Sequence, residues 1–352
     1  MKAALLGLAH PHAGILLATL DLLPEISAIC LWDPLAASLA GSLPPSAKVA
    51  QVSSDLDAVL GQPDLVFAIV CVPTDRSAAL ARRVLQAGKH LLAEKPVGFS
   101  GEEITLLERI AAAAGLTASV LYPRRFHPCM VAARELIQTG KLGPLLSVEA
   151  RFLTTQVRFR NPQSWLFRRA DSGGGILLWL GCHCLDLLQH LTGDEIVAVG
   201  AQLTVRSGEA IDVEDTAALT LRLRSGAVGT LLAGYSLAYS GGGYLNRAGN
   251  DSYLGINCRN GRAVWPDLTP RLMIESPPEP GQAAVRDVIL PVPDSSAYGG
   301  VAGEVFFRQF IAAVAGRSAP PTTLRDAVRT ARIVQAAEQS SRTGRLVSVD
   351  SV

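Results

Sequence analysis

Short apolar runs alternate with longer amphipathic stretches over the first third of the chain, the pattern of a parallel sheet wound with helices. Lys2–Gly7, Ile26–Trp32, Leu65–Val72, His90–Ala93 and Thr117–Leu121 read as strands, with Ala78–Leu85 and Ile104–Ala114 as helices between them. Ser100, with Glu103 three residues on, predicts a capping box at the start of the second helix. After about Tyr122 the period changes. Thr216–Arg224 alternates apolar and polar residues as a half-exposed strand does, and Leu145–Leu153, Ile196–Val205 and Val228–Ser236 read as further strands. These predict a mostly antiparallel sheet. Gly-rich Ser240–Gly243 and Pro-rich Pro277–Gly281 read as loops, and Glu304–Gln339 as helical with a break at Gly316–Pro321. The expected fold class is α/β with two domains, 1–122 and 123–352.

Composition narrows the partners. A chain of 352 residues, 49% hydrophobic and 18% charged, has room for two well-packed cores. A net charge of +1 gives no electrostatic reason to expect nucleic acid or an anionic membrane. No apolar run approaches the ~20 residues of a membrane span. Lys2 and the apolar Ala3–Gly7 have a superficial likeness to a signal peptide, but His10, Pro11 and His12 interrupt the run, and strand–turn–helix accounts for it better. The six cysteines are scattered in apolar surroundings, which implies reduced, buried thiols and a cytoplasmic protein. Cys182-His183-Cys184 invites a metal reading, yet three consecutive helical residues point in different directions and no second ligand cluster completes a site. No metal is expected.

The first candidate chemistry lies in Gly7-Leu8-Ala9-His10-Pro11-His12-Ala13-Gly14, between the first strand and the first helix. A glycine turn there lets the backbone approach a pyrophosphate resting on the helix N-terminus. The fingerprint is degenerate: Gly7 matches, Ala9 stands for the second glycine and His12 for the third. Asp33 ends the second strand at the spacing where a carboxylate grips ribose hydroxyls. Its charge opposes a 2′-phosphate, so NAD is expected rather than NADP. His10 and His12 are assigned to the cofactor phosphates or to the edge of a substrate cleft, with a purely structural role as the alternative.

The most informative stretch is Gly88-Lys89-His90-Leu91-Leu92-Ala93-Glu94-Lys95-Pro96, which puts Lys95 at a strand end, where an open α/β sheet forms its ligand crevice. Pro96 restricts the lysine backbone to extended geometry. Further on, Ser172-Gly173-Gly174-Gly175 opens a helical stretch carrying Trp179, His183 and Asp186. Taken with the fingerprint turn, these motifs resemble the glucose–fructose oxidoreductase/inositol dehydrogenase/rhizopine-catabolism (Gfo/Idh/MocA) family over nearly the whole chain, including Arg325-Asp326-Ala327 through Gly344-Arg345.

The resemblance implies a Rossmann dinucleotide-binding domain followed by an α/β substrate-binding domain whose outer sheet face often makes dimers or tetramers. It implies cofactor contacts from Gly7, Ala9, His10, Pro11, His12, Asp33, Glu94 and Lys95, and from the strand-end turn Cys71-Val72-Pro73-Thr74. Arg76 stands close to where relatives often carry a histidine. Lys95 is implied as the acid/base, since a lysine beside a cationic nicotinamide is lowered toward neutrality. His183 shares or orients the proton. The family's Asp, four residues before that histidine, is replaced here by Trp179, which cannot accept a proton but offers a flat face for stacking. Asp186 is implied to support the helix, and Tyr122, Arg125, Trp165, Trp179 and His183 to line the substrate site. The function implied is NAD-dependent hydride transfer to or from a sugar, polyol or related hydroxyl compound. Two alternatives remain open: an enzyme that retains NAD and cleaves or epimerises through transient oxidation, and a non-catalytic NAD or sugar sensor, which the Trp179 replacement favours.

Overall fold

A computed structural model describes residues 1–238, 250–267, 269–278 and 283–352. By its internal contacts the chain divides into Met1–Phe126 with Pro293–Arg329, and His127–Val292 with Thr330–Val352.

In the first unit the elements are β1 (Lys2–Leu6), α1 (Ala13–Leu22), β2 (Ala28–Trp32), α2 (Ala36–Leu39), β3 (Val49–Ser53), α3 (Leu56–Leu60), β4 (Leu65–Val70), α4 (Thr74–Gln86), β5 (His90–Ala93), α5 (Gly101–Ala113) and β6 (Ala118–Val120). The strands pair in parallel in the order β3-β2-β1-β4-β5-β6. Near-continuous burial along β1, β4 and β5 is what a parallel sheet covered on both faces requires. The order reverses between β1 and β4, so the carboxyl ends of β1, β4 and β5 border the switch point where open α/β sheets bind ligands. The capping box forms as expected: Ser100 Oγ accepts from the Glu103 amide, and the Glu103 side chain accepts from the Ser100 amide. Among the boundaries that shift, β4 stops at Val70, and α4 begins at Thr74 because Pro73 serves as its N-cap. β3 escaped the sequence reading because its burial alternates at a sheet edge, without an apolar run.

The second unit contains α6 (Pro128–Gln138), β7 (Leu145–Thr155), α7 (Arg169–Ser172), α8 (Cys182–Thr192), β8 (Ile196–Thr204), β9 (Thr216–Leu223), β10 (Val228–Leu237), β11 (Asn250–Cys258), β12 (Gly261–Trp265), β13 (Arg271–Glu275) and β14 (Val285–Ile289). The chain ends with α9 (Val301–Val314), α10 (Leu324–Thr343) and β15 (Val347–Ser348). The sheet runs β14-β13-β12-β11-β7-β10-β9-β8-β15, antiparallel apart from the β7–β10 pair. β9 buries every second residue, the alternation expected of it. Ser240–Gly243 and the 279–281 part of Pro277–Gly281 lie outside the described residues.

The division departs from the 1–122 and 123–352 reading, and α9 shows why. Phe306, Phe307 and Phe310 are fully buried in one core with Leu5, Ile29, Phe67 and Ile69, so α9 packs on the parallel sheet. Phe67 and Phe310 meet edge to face at 5.2 Å, a favoured aromatic geometry. Ser119 Oγ donates to the Thr322 carbonyl, tying the segment after α9 to β6.

Candidate functional site

The glycine turn is shaped by one steric fact. Gly7 has φ +106°, and a Cβ there would sit 2.1 Å from the Cys71 carbonyl oxygen and 2.6 Å from Val72 Cγ1. Only glycine permits that backbone and that approach. The turn is then tied to β2 through Asp33. Its Oδ2 accepts from the Leu8 amide at 2.9 Å and its Oδ1 from the Leu35 amide at 2.9 Å. The carboxylate therefore holds two loops in register at the end of β2. Thr74 opens α4 after Pro73, and its Oγ1 is buried with no hydrogen-bond partner among the described residues. Arg76 stands on the first turn of α4 and is exposed. A buried hydroxyl left unmatched is expensive in a dry site, so this position suits a ligand that brings its own polar atoms.

Glu94 and Lys95 follow β5, and both side chains are buried, at 2% and 1% exposure. The Lys95–Pro96 peptide is cis. Glu94 Oε1 lies 4.0 Å from Lys95 Nζ, accepts from His12 Nδ1 at 2.8 Å and accepts from the Tyr298 hydroxyl at 3.0 Å. His10 packs its ring against His12, centroids 5.1 Å apart, and accepts from the His12 amide through Nδ1. The His12 ring also meets Tyr298, at 5.0 Å. So the unit brings His10, His12, Glu94 and Lys95 together and adds Tyr298. The signal for Tyr298 was weak: an isolated tyrosine in Ala297-Tyr298-Gly299-Gly300, far along the chain and assigned to the other domain.

Burial sets the charges. His10 is driven well below its ordinary value by desolvation, with the neighbouring His12 and Lys95 adding to the effect, so it stays neutral. Burial first and Glu94 second push the Tyr298 phenol and the Cys71 thiol well above their ordinary values. Unfolding returns His10 to about 6.5, where it takes up a proton. Its contribution to stability is therefore complete above that pH and is lost as pH falls from there toward the folded value, by up to about 1.4 kcal/mol per unit. The melting temperature between roughly pH 7.5 and 5 is expected to fall. His10→Asn, which keeps an acceptor near Nδ1, is expected to flatten that slope.

Arg125 is held in an ion pair with Asp326, Nη2 to Oδ1 3.0 Å. Burial alone would raise the Asp326 carboxyl, but Arg125 and the Thr323 amide outweigh it and hold the group below its ordinary value. Tyr122, three residues before Arg125, is buried.

In the second unit the glycine triplet has a local cause. A Cβ on Gly175 would sit 1.9 Å from the Glu214 carbonyl oxygen. The buried Glu214 side chain accepts from the Gly175 amide at 2.8 Å and from the Leu177 amide at 3.1 Å, filling the anion-binding end of the helical segment. Burial raises the Glu214 carboxyl despite those amides. The chain then makes a π-helical turn, Leu177–Gly181, that runs into α8, so Trp179 stands on the π-turn and His183 on the first turn of α8. Both side chains are buried, as is Asp186. The Trp179 ring meets Trp165 edge to face at 5.6 Å, which brings together two of the residues assigned to the substrate wall. All six cysteines are buried, none of them in a disulfide.

Comparisons with known proteins identify the family. Residues 3–122 match the model for the oxidoreductase family with an NAD-binding Rossmann fold, and residues 130–264 match the GFO/IDH/MocA C-terminal domain. Levoglucosan dehydrogenase of Pseudarthrobacter phenanthrenivorans is 28% identical over 204 residues, covering 51% of this chain and 52% of the relative. D-xylose dehydrogenase of Paenarthrobacter nicotinovorans is 33% identical over 150 residues, 42% of this chain and 38% of the relative. These matches span about half the length of the curated relatives or less. A levoglucosan dehydrogenase structure with NADH and levoglucosan superposes with a TM-score of 0.86 at 22% identity, covering 99% of each chain, a likeness of fold. With one family's domains matched in both parts of the sequence, the chain belongs to the GFO/IDH/MocA oxidoreductases.

Proposed function

We propose that the protein is an NAD-dependent oxidoreductase acting on a CH–OH group of a sugar, a polyol or a related compound. The observation that carries the reading is Lys95, a fully buried lysine beside Glu94 at the carboxyl end of β5, next to the glycine turn of a dinucleotide-binding sheet. The residues fit the cofactor: the side-chain-free approach at Gly7, the Asp33 carboxylate at the end of β2 and the unmatched Thr74 hydroxyl favour a ligand with a diphosphate and ribose hydroxyls. Gly7, Ala9, His10, Pro11, His12, Asp33, Cys71, Val72, Pro73, Thr74 and Arg76 would hold it, and Asp33 disfavours a 2′-phosphate.

Bound NAD supplies the hydride acceptor. Lys95 Nζ takes the hydroxyl proton as the carbon is oxidised, and returns it in the reverse direction. By family resemblance His183 is the second catalytic residue, orienting the hydroxyl or sharing its proton. Trp179 and Trp165, already in contact, offer apolar faces for a sugar ring. The named relatives act on levoglucosan and D-xylose, which sets the substrate class to be screened. No helix among the described residues is long and apolar enough to cross a membrane, and a cytoplasmic location suits the six buried thiols. A homo-oligomer is proposed through the outer face of the large sheet, where Leu232 and Leu346 are exposed.

The test is a panel of sugars, anhydrosugars and polyols, incubated with NAD and followed by NADH absorbance. Turnover with at least one member is expected, with NADP a poorer acceptor. NAD held through purification with no NADH released from any member would instead favour the retained-cofactor reading, and no dinucleotide binding at all would end the proposal.

A further inference from the structure

Two segments far apart in sequence close on the Glu94 carboxylate. His12 comes from the glycine turn, at a position where the fingerprint usually has glycine, and reaches Glu94 Oε1 at 2.8 Å. Tyr298 comes from the segment before α9 and reaches the same oxygen at 3.0 Å. That segment is itself anchored, since the Tyr298 amide donates to Thr19 Oγ1 on α1 at 2.8 Å. The Lys95 ammonium lies 4.0 Å from the oxygen they share.

An ammonium taken out of water loses hydration and gives up its proton more easily, whereas an opposite charge within about 4–6 Å restores the charged form. Glu94 is placed to do this. We propose that Glu94, clamped by His12 and Tyr298, is a positioning residue that holds the Lys95 side chain and fixes how readily its proton leaves. The inference deepens the reading of Lys95 as the acid/base and rests on it for its functional meaning.

The other titratable groups around the pair come from several elements. His10 and His12 face it from the glycine turn, Cys71 from the end of β4, Tyr298 from the segment before α9, and Arg124 acts on Tyr298 from beyond β6. His10 is kept neutral by burial, and Cys71 and Tyr298 keep their protons. The clamp also links two parts of the site: the turn that would carry the cofactor diphosphate reaches Glu94 through His12, and Glu94 in turn faces the lysine that would move the proton.

The test reads the lysine directly in the full-length protein without cofactor. The chain has only five lysines, Lys2, Lys48, Lys89, Lys95 and Lys141, so side-chain NMR of isotopically labelled lysine resolves them, with Lys95→Met giving the assignment. In Glu94→Gln, which keeps the shape and an acceptor but removes the charge, Lys95 is expected to titrate about one pH unit or more lower than in the wild type. In Tyr298→Phe the carboxylate keeps its charge and its His12 contact but has one donor fewer, so more of its charge falls on the lysine and the titration is expected to move upward by less. An unchanged Lys95 titration in Glu94→Gln overturns the proposal. If that variant does not fold, the lighter Tyr298→Phe decides, and an unchanged or lowered titration there overturns it. Shifts as expected in a protein that oxidises no member of the panel would uphold the link between Glu94 and Lys95 while removing the dehydrogenase reading.

Discussion

Lys95→Ala is expected to lower kcat by about 10²–10⁴-fold, the range that a positioned acid/base contributes, while dinucleotide binding persists. The separation of the two effects follows from the fold. Gly7, Asp33 and Thr74 stand on the turns after β1, β2 and β4, and none uses the Lys95 side chain for its own backbone geometry. The variant is not innocuous to the site. Removing the ammonium leaves Glu94 buried with His12 and Tyr298 as its remaining partners, so a loss of stability accompanies the loss of rate. Steady-state kinetics with NAD titration separates the outcomes: a large fall in kcat at unchanged NAD affinity supports proton transfer by Lys95, whereas full activity in the variant removes it from the mechanism.

Gly175→Ala is expected to produce the largest loss of stability among single-methyl additions in the second unit. The new Cβ would fall 1.9 Å from the Glu214 carbonyl oxygen, a contact that only backbone movement relieves. That movement would also pull the Gly175 and Leu177 amides off the Glu214 carboxylate, and buried donors left unmatched are costly. Overpacking and lost hydrogen bonds together suggest about 3 kcal/mol or more, a fall in melting temperature of roughly 6 °C or more at this size. Differential scanning calorimetry checks it; a melting temperature within about a degree of the wild type would contradict this account of the triplet. Because Glu214 fills the amide end of this segment with protein, the triplet serves close packing here, and Trp179, His183 and Trp165 supply the side chains assigned to the substrate.

The sequence carried much of the fold because the two units speak in different hydrophobic periods. Continuous apolar runs such as Leu65–Val70 announced a doubly covered parallel sheet, and the alternation in Thr216–Leu223 announced a half-covered one. The later strands Asn250–Cys258 to Val285–Ile289 were not legible, since polar and charged residues break their runs. The return of α9 to the first unit was hidden for another reason: Phe306, Phe307 and Phe310 signal a buried helix but not which core it enters. At the site, Lys95, His12, Glu94 and Asp33 stood in recognisable motifs. Tyr298 did not, because its role depends on a contact across more than half the chain, 204 residues from Glu94, which no local pattern encodes.

Hydride transfer from a hydroxyl-bearing carbon to the nicotinamide can be followed through the hydrogen itself. A sugar or polyol identified in the panel is prepared with deuterium on its carbinol carbon and incubated with the protein and NAD, and the reduced cofactor is analysed by mass spectrometry. NADH carrying one deuterium is expected from the wild type, its formation falling in parallel with kcat in Lys95→Ala. Product formed without deuterium reaching the cofactor, free or retained on the protein, would contradict it.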